Sequence, residues 1–126
     1  MSNIKTVEEI FALENLDVNA ITITGVPERH IEAVKALAKL FVVVDHHNPE
    51  FQPDYTDYSQ DKFEPIFNMG SPAGVGFSYF DCASWYSDSV VGARLVSESR
   101  KTTKLIAENY PELYEKFMVY QRELKK

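Results

Sequence analysis

From Pro27 to the Asn48-Pro49 pair, apolar side chains recur at three- and four-residue steps: Ile31, Val34, Leu37, Ala38, Phe41, then Val44 or Asp45. That period belongs to an α-helix with one apolar side, and Glu28, Glu32, Lys35 and Lys39 fall away from the stripe. Pro27 suits the first helical residue, because the amide proton it lacks has no partner there. Pro49 disfavours helical backbone at Asn48 and ends the run. In a chain of 126 residues, a helix this long forms one wall of the core, and the other segments have to cover it.

Those segments divide into short helices and a β-rich middle. Thr6 and Glu9 have capping-box spacing, and Val7, Ile10, Phe11 and Leu13 then line a short helix ending near Asn15. Alternation of Ile21 and Ile23 with threonines predicts a short strand over Asn19 to Gly25. Residues 48 to 62 form a polar connection carrying Phe51, Tyr55 and Tyr58. Phe63, Ile66 and Phe67 flank Pro65, which predicts an edge or bulged strand. Met69 to Gly74 has turn chemistry, and Val75, Phe77 and Tyr79 alternate as a second strand. A turn at Asp81 to Ser84 and strand-compatible stretches at Trp85 to Val91 and Ala93 to Ser97 complete a small antiparallel meander. Ser97 or Ser99 can cap a last helical part lined by Leu105, Ile106, Tyr110, Leu113, Phe117 and Tyr120. Pro111 splits it into two short helices or kinks one, and Asn109 three residues before Glu112 looks like a fresh cap. The expected fold is a single α+β domain over residues 1–126: a long N-terminal helical part, a small antiparallel β-meander, and a C-terminal helix on one sheet face.

Charge and cysteine content exclude several function classes. Lys and Arg number 13 against 19 Asp and Glu, a net charge of −6, whereas a phosphate-gripping protein concentrates basic residues on one face. Nucleic acid is therefore not an expected partner. Cys82 is the only cysteine, so neither an internal disulfide framework nor a multi-thiolate zinc site can form. The longest apolar run, Leu40 to Val44, is too short for a membrane span, and the start of the chain, with Glu8 and Glu9, does not read as a signal peptide. A cytoplasmic location without membrane association is expected.

Two resemblances bear on function. Val42-Val43-Val44-Asp45-His46-His47 resembles the strand-then-DHH signature of the DHH phosphoesterases, in which aspartate and histidines hold divalent metal. The match stops after six residues, and these residues continue the helical stripe, where histidines suit the carbonyl end of the dipole. From Asn48 onward the chain is similar to a family of short, uncharacterised proteins of Bacteroidota genomes and their phages. The run 48–55 fits its N-E-G-W-x-P-D-W segment, and Lys62-Phe63-Glu64-Pro65-Ile66-Phe67 fits K-Y-Y-P-W-F. Gly76-Phe77-Ser78-Tyr79 fits its glycine- and aromatic-rich strand, and Gly92-Ala93-Arg94-Leu95-Val96-Ser97 fits G-S-R-L-x-F-K-S. The resemblance implies a phage or mobile-element origin and an ordinary helix end at Asp45-His46-His47; it implies no activity.

Aromatic residues concentrate between Phe51 and Tyr86. Tyr79 and Phe80 are adjacent, as are Trp85 and Tyr86, so in a regular strand one of each pair faces away from the main core. Arg94 can pair with Asp54 or Asp81, or it can receive a ligand's phosphate or carboxylate. The candidate binding residues are Asp54, Tyr55, Tyr79, Trp85 and Arg94. Cys82 has no activating neighbour in sequence, Ser84, Ser87 and Ser89 lack a nucleophile elbow, and the 70–74 loop is no phosphate loop. The leading expectation is a non-enzymatic binding module with a protein or small-molecule partner, requiring no cofactor and no metal. The alternatives are a metal-dependent phosphoesterase or nuclease using Asp45, His46 and His47, and a virion or assembly component.

Overall fold

In a computed structural model that describes residues 4–71, 73–85 and 93–121, the chain opens with the capping box. Thr6 Oγ1 accepts from the Glu9 amide at 3.1 Å, and the Glu9 carboxylate accepts from the Thr6 amide at 2.8 Å. The helix they start, α1 (Val7–Leu13), buries Ile10 and Phe11. Asn15 takes a left-handed turn (φ 60°) that short polar side chains tolerate. The strand expected over Asn19 to Gly25 does not form. Val18–Ala20 is a single 3₁₀ turn under an Asp17 cap, and the alternating residues beyond it join no strand among the described residues.

The long helix α2 (Glu28–His47) starts after Pro27, which occupies the N-cap one position before the expected place. Its buried ridge is Ala36, Leu40, Val43 and Val44. The expected stripe is therefore displaced: Leu37 and Phe41 are only half-buried, and Val34 is 36% exposed. The reason is that several elements share this helix. Its main neighbour α4 (Pro111–Met118), together with α1 and α3 (Arg100–Asn109), covers a wide arc that includes the Ala36, Leu40 and Val43 side of the helix, to one side of the predicted stripe.

Among the described residues the sheet has two antiparallel strands, β1 (Lys62–Asn68) and β2 (Ser78–Trp85), with Lys62 opposite Trp85 and a register shift between Ile66 and Phe67. Phe63 exchanges backbone hydrogen bonds with Ser97 on the other edge of β1, at 3.1 and 2.7 Å. Two residues on, Pro65 faces that same edge beyond the bridge, where its missing amide proton breaks no ladder. Three strand expectations change. β2 begins at Ser78 rather than Val75, Asp81 to Ser84 belong to it rather than to a turn, and Ala93–Leu95 is a 3₁₀ turn. The expected third strand contributes only the Ser97 bridge, and its part at residues 86–92 lies outside the described residues. The hairpin loop needs Gly70: its φ is +74°, and a Cβ there would collide with the Val75 carbonyl oxygen.

Ser99 caps α3 by accepting from the Thr102 amide at 3.1 Å. Pro111 then opens α4 as a separate helix, so the C-terminal part is two helices. Asn109 does not cap α4; its amide donates to the Leu105 carbonyl within α3 at 2.7 Å. Helices and hairpin meet in a core of Ile10, Leu40, Val43, Phe67, Ile106, Tyr110, Leu113 and Tyr114, an α+β arrangement with the C-terminal helices against the sheet. No described helix is long and apolar enough to cross a membrane.

The displaced ridge has a measurable consequence. Leu40→Ala empties a fully buried position and should cost about 2–5 kcal/mol. Phe41→Ala removes a larger but half-buried ring and should cost less. Chemical denaturation of the two variants checks the order; a larger loss for Phe41→Ala would restore the predicted stripe.

Candidate binding groove

The end of α2 is held by one side chain. Asn48 is buried; its Nδ2 donates to the Val44 carbonyl at 2.8 Å and to Ser97 Oγ at 3.0 Å, while its Oδ1 accepts from the Glu98 amide at 3.0 Å. The helix terminus is thereby fastened to the segment that follows the Ala93–Leu95 turn. Beyond Pro49 the chain is organised by side chains rather than by a ladder. Asp54 Oδ1 accepts from the Thr56 amide and hydroxyl at 2.9 and 2.6 Å, and Asp57 does the same for Ser59 at 2.8 and 2.6 Å. Gln60 ties the segment across, its Oε1 accepting from the Asp54 amide at 2.7 Å and its Nε2 donating to the Gln52 carbonyl at 3.1 Å.

These ties shape a groove of about 270 Å³. Phe41, Val44, Asp45 and Asn48 of the α2 end form one wall; Phe51, Gln52, Pro53 and Tyr55 form the other; Arg94 and buried Val96 complete it. The Arg94 guanidinium lies over the Phe41 ring, 4.6 Å from its centroid. Neither expected partner pairs with it. Asp81 is engaged by Arg100 at 3.8 Å, and Asp54 is committed to its turn. Among the described residues no carboxylate lies within 4.0 Å of the Arg94 guanidinium.

Behind the groove, Tyr55 stacks on Trp85 with centroids 6.0 Å apart and planes 19° from parallel. The Lys62 ammonium sits 5.6 and 5.9 Å from these two ring centroids and donates to the Gln60 carbonyl at 3.1 Å, its side chain fully buried. Trp85 is 7% exposed, with Nε1 donating to Glu64 Oε2 at 2.7 Å. Trp85 is therefore a support for Tyr55 rather than an exposed binding ring.

Of the five predicted residues, Tyr55 and Arg94 line the groove, and Trp85 backs it. Asp54 shapes the neighbouring turn; hydrogen bonds from the Thr56 hydroxyl and amide hold its carboxyl below the usual range. Tyr79 is elsewhere. It packs edge-on to Phe67 in the core, and its hydroxyl contacts Cys82 Sγ at 3.1 Å. Burial, followed by that contact, raises its phenol's pKa. Phe80 beside it is exposed, as adjacent strand positions require. Asn48, Gln60 and Lys62 were missed. The paired Asp-Tyr-Thr and Asp-Tyr-Ser triplets at 54–59 were a readable sign of a turn-built wall.

Asp45, His46 and His47 occupy the last turn of α2 and take different partners, although the two imidazoles meet edge-on with centroids 5.3 Å apart. Asp45 faces the groove, His46 Nδ1 contacts Glu14 Oε2 at 3.1 Å, and His47 meets the Tyr110 ring edge-on at 5.8 Å. Among the described residues no group of three or more His, Cys, Asp and Glu side chains could hold a metal ion. No protein-family profile, curated protein or solved structure matches this chain.

Two outcomes follow from the α2 end. Asn48→Ala should strand the buried Ser97 hydroxyl and the Glu98 amide, at about 1–3 kcal/mol for each group left unpaired, read as a lower denaturation midpoint. His47 buries Nδ1 without a partner, and burial, then His46, then Lys5 lower its pKa from the ordinary 6.5. Below that ordinary value the unfolded chain binds more protons than the folded one, so stability is full above it and falls as pH drops toward the folded pKa. Thermal melts between about pH 7.5 and about pH 5.5 should show this fall. His47→Gln should flatten it, and His46→Gln, which removes the second cause but not the burial, should reduce it without abolishing it.

Proposed function

We propose that the chain is a non-enzymatic binding module that receives the anionic group of a ligand on Arg94, with the ligand's apolar part against Phe51, Pro53 and Tyr55. The observation that carries this reading is the exposed Arg94 guanidinium, lying over an aromatic ring and without an ion pair among the described residues. A guanidinium spread over a ring keeps its N–H edge for bidentate contact with a carboxylate or phosphate. The groove is concave and of small-molecule scale, which favours a small ligand over a broad protein partner. A cytoplasmic setting and a phage or mobile-element origin belong to the same proposal.

The test uses 3-phenylpropanoate, a carboxylate on a flat apolar body, titrated into the labelled protein and followed by amide and arginine side-chain NMR shifts. Signals of Phe51, Tyr55 and Arg94 should move together. Arg94→Ala should weaken binding roughly ten- to a hundred-fold, the equivalent of about 1.5–3 kcal/mol for charge-assisted hydrogen bonds. Its melting temperature should stay close to the parent's, since the side chain is exposed. The reading fails if neither this probe nor phenyl phosphate perturbs the groove at about millimolar concentration.

A further inference from the structure

The groove holds a second uncompensated charge. Asp45 is exposed in the last turn of α2, where the carbonyl end of the helix disfavours a negative side chain. Among the described residues its carboxylate has no cation within 4.0 Å and no hydrogen bond. Asp45 and Arg94 line the same groove without pairing with each other. Two opposite charges held apart, neither with an ionic partner among the described residues, are complementary to a ligand that carries both charges on one short frame.

Size and walls narrow the class. At about 270 Å³ the groove is below the ~300–1,000 Å³ typical of drug-sized ligands. The backbone of an internal peptide segment offers neither charge, and that of a chain terminus offers only one. A free α-amino acid presents carboxylate and ammonium on a single carbon. Phe51, Pro53 and Tyr55 supply a flat apolar wall for its side chain. Resting on the binding reading above, we propose that the groove binds a free α-amino acid with a flat apolar side chain, its carboxylate on Arg94 and its ammonium on Asp45.

Calorimetric titration with three probes tests this: L-phenylalanine, 3-phenylpropanoate, which lacks the ammonium, and 2-phenylethylamine, which lacks the carboxylate. The parent should bind L-phenylalanine roughly tenfold or more tightly than either deletion analogue, the scale of one charge-assisted contact. Asp45→Asn should abolish the preference for L-phenylalanine over 3-phenylpropanoate, and should not weaken 3-phenylpropanoate, which loses a repelling neighbour. The same variant should melt no lower than the parent, because it removes a charge from an unfavourable helix position. Equal affinity for L-phenylalanine and 3-phenylpropanoate, with Asp45→Asn silent, would overturn the amino-acid inference while leaving anion binding at Arg94 intact. Failure of both acids to bind would overturn the amino-acid inference, and failure of phenyl phosphate as well would overturn the binding reading with it.

Discussion

The amide of Asn48 joins two parts of the protein that the backbone alone leaves separate, the end of α2 and the segment leading into α3. It ends α2 by taking the Val44 carbonyl, and it seizes the Ser97 hydroxyl and the Glu98 amide 49 and 50 residues away. Ser97 in turn forms the bridge to Phe63, and Ser99 caps α3. A buried polar side chain is tolerable only when its donors and acceptors are used, and this one has partners on both its nitrogen and its oxygen. Its position decides where Arg94 stands relative to the α2 end, and so whether a groove exists there.

Elements defined by neighbours in sequence were legible in the chain. The Thr6–Glu9 cap, the stop at Asn48-Pro49 and the break at Pro111 involve residues three or fewer positions apart, and each forms as read. Failures came where distant elements decide the outcome. The stripe on α2 was rotated because three helices share its flank. Val75 has the look of a strand residue, yet it lies in the hairpin loop and is 75% exposed. Asp81 and Ser84 have turn-like side chains, but both are exposed positions of a strand whose other positions include buried Cys82 and Trp85.

The candidate site was half legible for the same reason. Aromatic residues within a polar connection marked Phe51 and Tyr55, and an arginine between apolar residues marked Arg94. Nothing local shows that Arg94 faces Phe41 rather than an aspartate, since that contact depends on the long-range bonds of Asn48. The net charge of −6 also bears on how such a groove works. A surface of that sign does not draw anions in from a distance, so recognition there has to arise at contact, from geometry and desolvation.

Lys62 has a further consequence. Its amine is sealed beneath the Tyr55 and Trp85 rings, whereas Lys5, Lys101, Lys104 and Lys116 stand in solvent. An acylating reagent meets those four at once but reaches Lys62 only when the first residue of β1 parts from its cover. The rate at which that single amine is tagged is therefore a clock for how often the sheet edge and the loop above it come open.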